Sequence, residues 1–422
     1  MILKWLGALL FFLMMATPFE FYAIKIFIMI VLVSYRLYVI VRKRKLDLSR
    51  SVFFWFIIFI LFGLFFSLWS LMFSFSNIEF VLKILPVYFV WPLFYMLLVP
   101  YLLNLSIVGM LNKMMVYASI FISSYLTLAF LSLIGLLPIP FELFSLAKPI
   151  LGRSESVEVQ LFMPAVTSLL FLNPFLFSSL LLGVYKKYNI SQGLMLFAFF
   201  VTTVAVIVTG RRSLMLNVLL APIILLILLK LSKIKLDVKT KKALKKFIVS
   251  LVFGGIILYG YLVYSGLVDL GVFWDFFISG FDFSSDGKDA ASSGIRGEQF
   301  TAMIQSWLDY PILGTGLASP SEYVIRSEET PWMYELSYLA WLFQTGIIGF
   351  TVIMSLFAWL FVKGISVIRK NNKFSYMLPI FVGCFTFLVG CASNPYLQAF
   401  DHMWAVFLPV GLINYCNKNQ NI

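Results

Sequence analysis

Val52-Phe53-Phe54-Trp55-Phe56-Ile57-Ile58-Phe59-Ile60-Leu61-Phe62-Gly63-Leu64-Phe65-Phe66-Ser67-Leu68-Trp69-Ser70-Leu71-Met72-Phe73 carries no charged side chain over 22 positions. At 1.5 Å per residue such a run is long enough to cross the hydrocarbon core of a bilayer as a helix. In hydrocarbon every backbone amide must find its partner inside the segment, so a helix is the structure this run can adopt there. The pattern repeats along the chain. Of 422 residues 61% are hydrophobic and 12% charged, with a mean hydropathy of +0.97. A soluble domain carries about 25% charged residues. The class is therefore an all-α polytopic membrane bundle.

Apolar runs place about twelve transmembrane helices, at roughly 5–18, 21–41, 52–73, 84–103, 114–136, 161–184, 193–209, 213–230, 247–264, 333–362, 376–392 and 402–416. The first run follows Lys4 as a signal peptide would. No small-residue cleavage site follows Pro18, so it is read as a first membrane helix. The organisation expected is 1–264 with helices one to nine, a large loop over 265–332, and 333–422 with the last three helices.

The formal charge of +13 could suggest nucleic acid. The bases instead sit in short loops between apolar runs, which is how membrane topology is encoded. Arg42, Lys43, Arg44, Lys45 and Arg50 form one such loop, and Lys186 with Lys187 another. Lys230, Lys233, Lys235, Lys239, Lys241, Lys242, Lys245 and Lys246 stand against one acid, Asp237. Lys363, Arg369, Lys370 and Lys373 complete the set. Alternating helices bring all four loops to one side, the cytoplasm, with both termini there. The 265–332 loop on the opposite side holds ten acids and only three bases, Lys288, Arg296 and Arg326.

Within that loop Phe300, Met303, Ile304, Trp307 and Leu308 follow the spacing of an amphipathic helix. Ser292 and Ser293 are its expected N-caps and Pro311 its stop. Leu270, Phe273, Trp274, Phe276 and Phe277 crowd together upstream, as an interfacial segment or as loop packing. Cys384, Cys391 and Cys416 fall in or beside apolar runs and read as packing residues. No metal-ligand cluster, phosphate loop or nucleotide signature is present, and Gly314-Thr315-Gly316 reads as a turn.

Three outer-face positions could carry chemistry. Arg211 and Arg212 lie between helices seven and eight, on the side the positive-inside tendency disfavours. An arginine at the membrane either binds an anion bidentately or snorkels from a tight turn. Arg296 stands where a helix start would favour an anion, or else pairs with a neighbouring acid. Glu335 lies where the chain re-enters the membrane, as a general base or a plain interfacial charge. His402, the one histidine, is a second acid–base candidate or a structural residue.

Together these residues resemble the O-antigen ligase and O-antigen polymerase superfamily of membrane glycosyltransferases. Thr209-Gly210-Arg211-Arg212-Ser213-Leu214 resembles the family's Thr-x-(Ser/Thr/Gly)-Arg stretch. Gly294-Ile295-Arg296, Trp307 and Pro311-Ile312-Leu313-Gly314-Thr315-Gly316 resemble its Arg…Trp…Pro-x-x-Gly-x-Gly loop. Glu335 through Gly349 resembles its His-Asn-x-x-Leu…Gly-Ile-Ile-Gly helix start, with Glu335-Leu336 in place of His-Asn.

The resemblance implies a GT-C-like bundle and a donor glycan on undecaprenyl diphosphate. Arg211 and Arg296 would hold the diphosphate and Glu335 would take a proton from the acceptor hydroxyl. Arg212, Trp307, Tyr338 and His402 would contact substrate. No cofactor or metal is implied. Partners would be the lipid-linked oligosaccharide, membrane lipid and a chain-length regulator, with no nucleic acid. The departure at Glu335-Leu336 favours a polymerase over a ligase. A flippase for lipid-linked sugars and a structural assembly subunit are the readings from other classes.

Overall fold

The computed structural model describes residues 2–103, 105–151, 159–209, 211–234, 242, 245, 246, 249 and 290–419. The chain is an all-α polytopic bundle. Its helices are α1 (Ile2–Ala16), α2 (Tyr22–Lys43), α3 (Arg50–Met72), α4 (Ile78–Leu85), α5 (Trp91–Leu98), α6 (Leu105–Leu133), α7 (Val166–Leu181), α8 (Gln192–Val208) and α9 (Arg212–Ser232). They continue with α10 (Ala290–Asp309), α11 (Ser337–Lys370), α12 (Leu378–Gly390) and α13 (Trp404–Lys418). Seven spans among the described residues are long and apolar enough to cross a membrane, and α1, α7 and α8 are shorter apolar helices. The expected helix at 247–264 and the aromatic cluster at 270–277 lie outside the described residues.

Several boundaries differ from expectation, each for a local reason. The span expected at 84–103 runs from Ile78 to Tyr101. Asn77 starts it, its side chain accepting from the Phe80 amide at 2.9 Å. Pro86 then opens a π-helical turn over Pro86–Val90 between α4 and α5. Proline removes a backbone donor, so the ladder must widen there. The helix expected at 161–184 is preceded by strand β2 (Val159–Phe162), antiparallel to β1 (Lys148–Leu151) with Lys148 opposite Phe162. This hairpin is a small exception to an otherwise helical chain. The helix itself ends at Leu181, and Val184–Tyr188 is a separate 3-10 turn.

The core runs through the middle of the bundle, with α12 packed against both α7 and α9. Several of its buried polar groups are paired across helices. The Trp55 indole donates to the Leu356 carbonyl at 2.9 Å, the Trp341 indole to the Tyr88 hydroxyl at 2.9 Å, and that hydroxyl to the Leu397 carbonyl at 3.0 Å. The three cysteines are buried and free, as packing residues would be.

α11 is broken near its start. Gly346 adopts φ 60° and ψ −173°, a conformation open to glycine and costly for other residues. The break frees backbone groups, and the 311–317 loop takes them up. The amides of Ile347 and Ile348 donate to the carbonyls of Pro311 and Ile312, while those of Thr315 and Gly316 donate to the carbonyls of Phe343 and Gln344. A side chain at Gly346 would collide with Ile312, and one at Gly316 with Ser70 and Phe66. The Gly-Thr-Gly stretch is thus more than a turn: its backbone is threaded into the helix break.

Candidate functional site

α10 departs from expectation at its start and in its facing. Ser292 and Ser293 are inside the helix, so they do not cap it, and Arg296 lies beyond the first turn. Two alanines at 290 and 291 sustain helix before the serines. The inward side carries Gln299, Ala302, Met303 and Ser306, so only Met303 of the expected stripe is buried. Phe300 and Leu308 are 45% and 61% exposed. The polar inward residues are used: Gln299 Oε1 accepts from the Glu335 amide at 3.1 Å, and Ser306 shares a 2.8 Å hydrogen bond with Ser321.

The loop between α10 and α11 is built around Tyr334. Its buried hydroxyl accepts from the Ser321 amide at 2.7 Å and donates to the Val324 carbonyl at 2.9 Å. Burial pushes the phenol up to about 12, so it stays neutral. Gln344 adds bonds to the carbonyls of Ser319 and Trp332. This scaffold fixes Glu335. Its carboxylate accepts from Arg326 at 3.3 Å and is about one-fifth exposed. Sequence reasoning named Arg326 only as one of three loop bases. Its nine-residue separation from Glu335 matches no helical spacing, and only the fold of the loop closes it.

Arg211 immediately precedes α9, in extended conformation. Its backbone carbonyl accepts from Leu214 and Met215, so the residue is tied to the first turn. Its half-buried guanidinium donates to the Tyr396 hydroxyl at 3.3 Å. Arg212 is the first residue of α9. Tyr396 belongs to a run of short 3-10 turns, 391–402, between α12 and α13. The same run meets the Glu335 region, because Ser337 Oγ donates to the Asn394 carbonyl at 2.6 Å.

Arg211 and Glu335 are therefore joined at one end of the bundle through residues 394–396. Arg296 sits on α10 three positions before Gln299, the partner of the Glu335 amide. Trp307 is eleven positions along α10 from Arg296, roughly 16 Å by helical rise. Its indole donates to the Pro311 carbonyl at 3.2 Å. Tyr338 donates to the Leu388 carbonyl at 2.6 Å, tying α11 to α12.

His402 lies under the surface, 2% exposed. Its ring is edge-on to Phe19 at 5.5 Å and to Tyr396 at 5.8 Å. Burial, with Lys25 nearby, lowers its imidazole to about 3, so it is neutral at physiological pH. Beside it, Asp401 Oδ2 accepts from the Phe19 amide at 2.7 Å and pairs with Lys25 at 3.2 Å. Burial raises the Asp401 carboxyl and Lys25 opposes that. This pair escaped the sequence reading. The available signal was Lys25 itself, a cation in an otherwise apolar run, which needs a partner when enclosed.

A helical bundle crossing a membrane many times, with an arginine and a paired carboxylate assembled by loops at one end, defines a multi-pass membrane protein with a built polar site. Residues 197–354 match the family model described as O-antigen ligase. That segment is similar to the family, and the chain as a whole is a multi-pass helical membrane protein. The match includes Arg211, Arg296, Trp307, Glu335 and Gly346, and leaves out Lys25, Tyr396, Asp401 and His402. No curated protein and no solved structure matches the chain.

Proposed function

We propose that the chain is a polymerase of O-antigen or a related surface polysaccharide. It transfers a glycan from undecaprenyl diphosphate onto another lipid-linked repeat unit. The observation that carries the reading is the meeting of three elements: Arg211 before α9, Glu335 before α11, and the turn of α10 that bears Arg296. Guanidinium groups suit a diphosphate leaving group, because planar donors meet phosphate oxygens in pairs and stabilise charge as it develops. Glu335 accepts the proton of the attacking hydroxyl. Arg326 holds that carboxylate oriented and must yield as the acceptor docks.

The distribution of the basic loops supports a reading in which this end of the bundle faces outward from the bacterial inner membrane and both termini are cytoplasmic. A chain-length regulator would act on the same outer face. Glu335-Leu336, where ligases of the family resemble one another in His-Asn, supports polymerase. The family description itself supports the second reading, a ligase that moves the glycan to lipid A–core.

Lipopolysaccharide from cells lacking the protein separates these. A core bearing a single repeat supports polymerase. A bare core with polymer left on the carrier supports ligase. Repeats held on the cytoplasmic side would indicate a flippase and overturn both.

A further inference from the structure

The structure holds a groove that the candidate site does not use. It is a partly open cavity of about 120 Å³. Its walls come from α1, α2, the 91–103 segment, α6 and α13, and they are almost wholly apolar. Trp404 and Phe407 line it at α13. The one charged side chain on it is Lys4. Lys4 is exposed and spends one of its three donors on Ser106 at 3.1 Å. Gly7, one turn further along α1, has open space where a side chain would stand, with nothing within 4 Å of its Cβ position.

An apolar cavity within the hydrocarbon layer suits part of a hydrocarbon chain, since its walls offer water almost no polar surface. The position of Lys4 selects the occupant. α1 and α2 form a hairpin, so Lys4 lies toward the end that carries Arg42, Lys43, Arg44 and Lys45. Thr17 lies at the other end, roughly 20 Å away along α1, with Asp401 beside it through Lys25. A polyprenyl diphosphate seated on Arg211 would therefore not place its phosphates at Lys4. An anionic phospholipid of the opposite leaflet would, since basic side chains near that surface attract anionic headgroups.

We infer that this groove is a binding site for one anionic phospholipid, its phosphate on Lys4 and an acyl chain running past Gly7 toward Trp404. Native mass spectrometry of the full-length protein in detergent tests it, with phosphatidylglycerol and chain-matched phosphatidylcholine as probes. Wild type should retain one phosphatidylglycerol. Gly7→Leu, which fills open space, should lower that retention tenfold or more. Lys4→Glu, at an exposed position that cannot unfold the bundle, should weaken phosphatidylglycerol about tenfold and leave phosphatidylcholine unchanged. Equal retention by Gly7→Leu, or by Lys4→Glu, would overturn the inference. So would displacement of the bound lipid by undecaprenyl phosphate.

Discussion

Lys25 Nζ lies 3.2 Å from Asp401 Oδ2, with both side chains fully enclosed. The contact joins the start of α2 to the turns that precede α13. Lys25 also donates to the Thr17 carbonyl at 2.7 Å, so one ammonium holds the α1–α2 turn and the Tyr396–His402 run together. Asp401 Oδ1 is buried without a hydrogen-bond partner among the described residues. Removing one member leaves an enclosed, uncompensated charge, which costs about 3–5 kcal/mol. Lys25→Met or Asp401→Asn alone should therefore lower the thermal midpoint in detergent sharply. The double variant should recover most of the loss, and two additive losses would contradict the pairing.

His402 gives a pH signature. Its folded value, about 3, lies below its ordinary 6.5. Between those values the unfolded state takes up a proton that the folded state refuses. Stability is therefore lost as pH falls through that window, by up to about 1.4 kcal/mol per pH unit. Asp401, shifted upward, works in the opposite direction and is present in both proteins compared. From pH 7 to pH 4 the melting midpoint of wild type should fall relative to that of His402→Phe. Parallel curves would show that the imidazole is not held neutral.

Arg326 is expected to act through Glu335. The pair is partly open to solvent, so its direct worth to stability is at most about 1 kcal/mol. Its effect belongs in turnover instead. Arg326→Ala and Glu335→Ala should each reduce polymer formation, and the double variant should be no slower than Glu335→Ala. Multiplying losses in the rate assay would show that the two residues act independently.

Gly346 is held at φ 60° against Ile312. Gly346→Ala combines a costly backbone conformation with a steric conflict, and should destabilise by at least about 1–3 kcal/mol. The expected result is reduced yield and a lower thermal midpoint. Unchanged yield and midpoint would show that the break tolerates a side chain.

The bundle was legible because a membrane helix announces itself in composition: each long apolar run has one stable backbone solution in lipid. Ends were less legible, since Asn77 and Pro86 reset a boundary through single side chains. α10 was read with its stripe on the wrong side. The rule assumes that apolar residues face protein, whereas here Gln299 and Ser306 turn inward to hydrogen-bond the loop. At the site, Arg211 and Glu335 stood out as charges beside apolar runs. Arg326, Tyr396 and Asp401 did not, because their partners lie 9, 185 and 376 positions away and only folding brings them close. The Pro-x-x-Gly-x-Gly and Gly-Ile-Ile-Gly stretches look separate in sequence. They are two sides of one backbone junction.

The most direct measurement is an assay of purified protein on a lipid-linked repeat unit extracted from cells that lack it. Wild type should extend the glycan into a ladder and release undecaprenyl diphosphate, one per bond formed. Arg211→Ala, Arg296→Ala and Glu335→Ala should each cut both rates by about a thousandfold, leaving a measurable residue, while the protein stays folded. Arg211→Lys should fall by about a hundredfold, because an ammonium cannot reproduce the planar fork. A ladder of normal length from all three alanine variants, or no diphosphate release by wild type, would contradict the account.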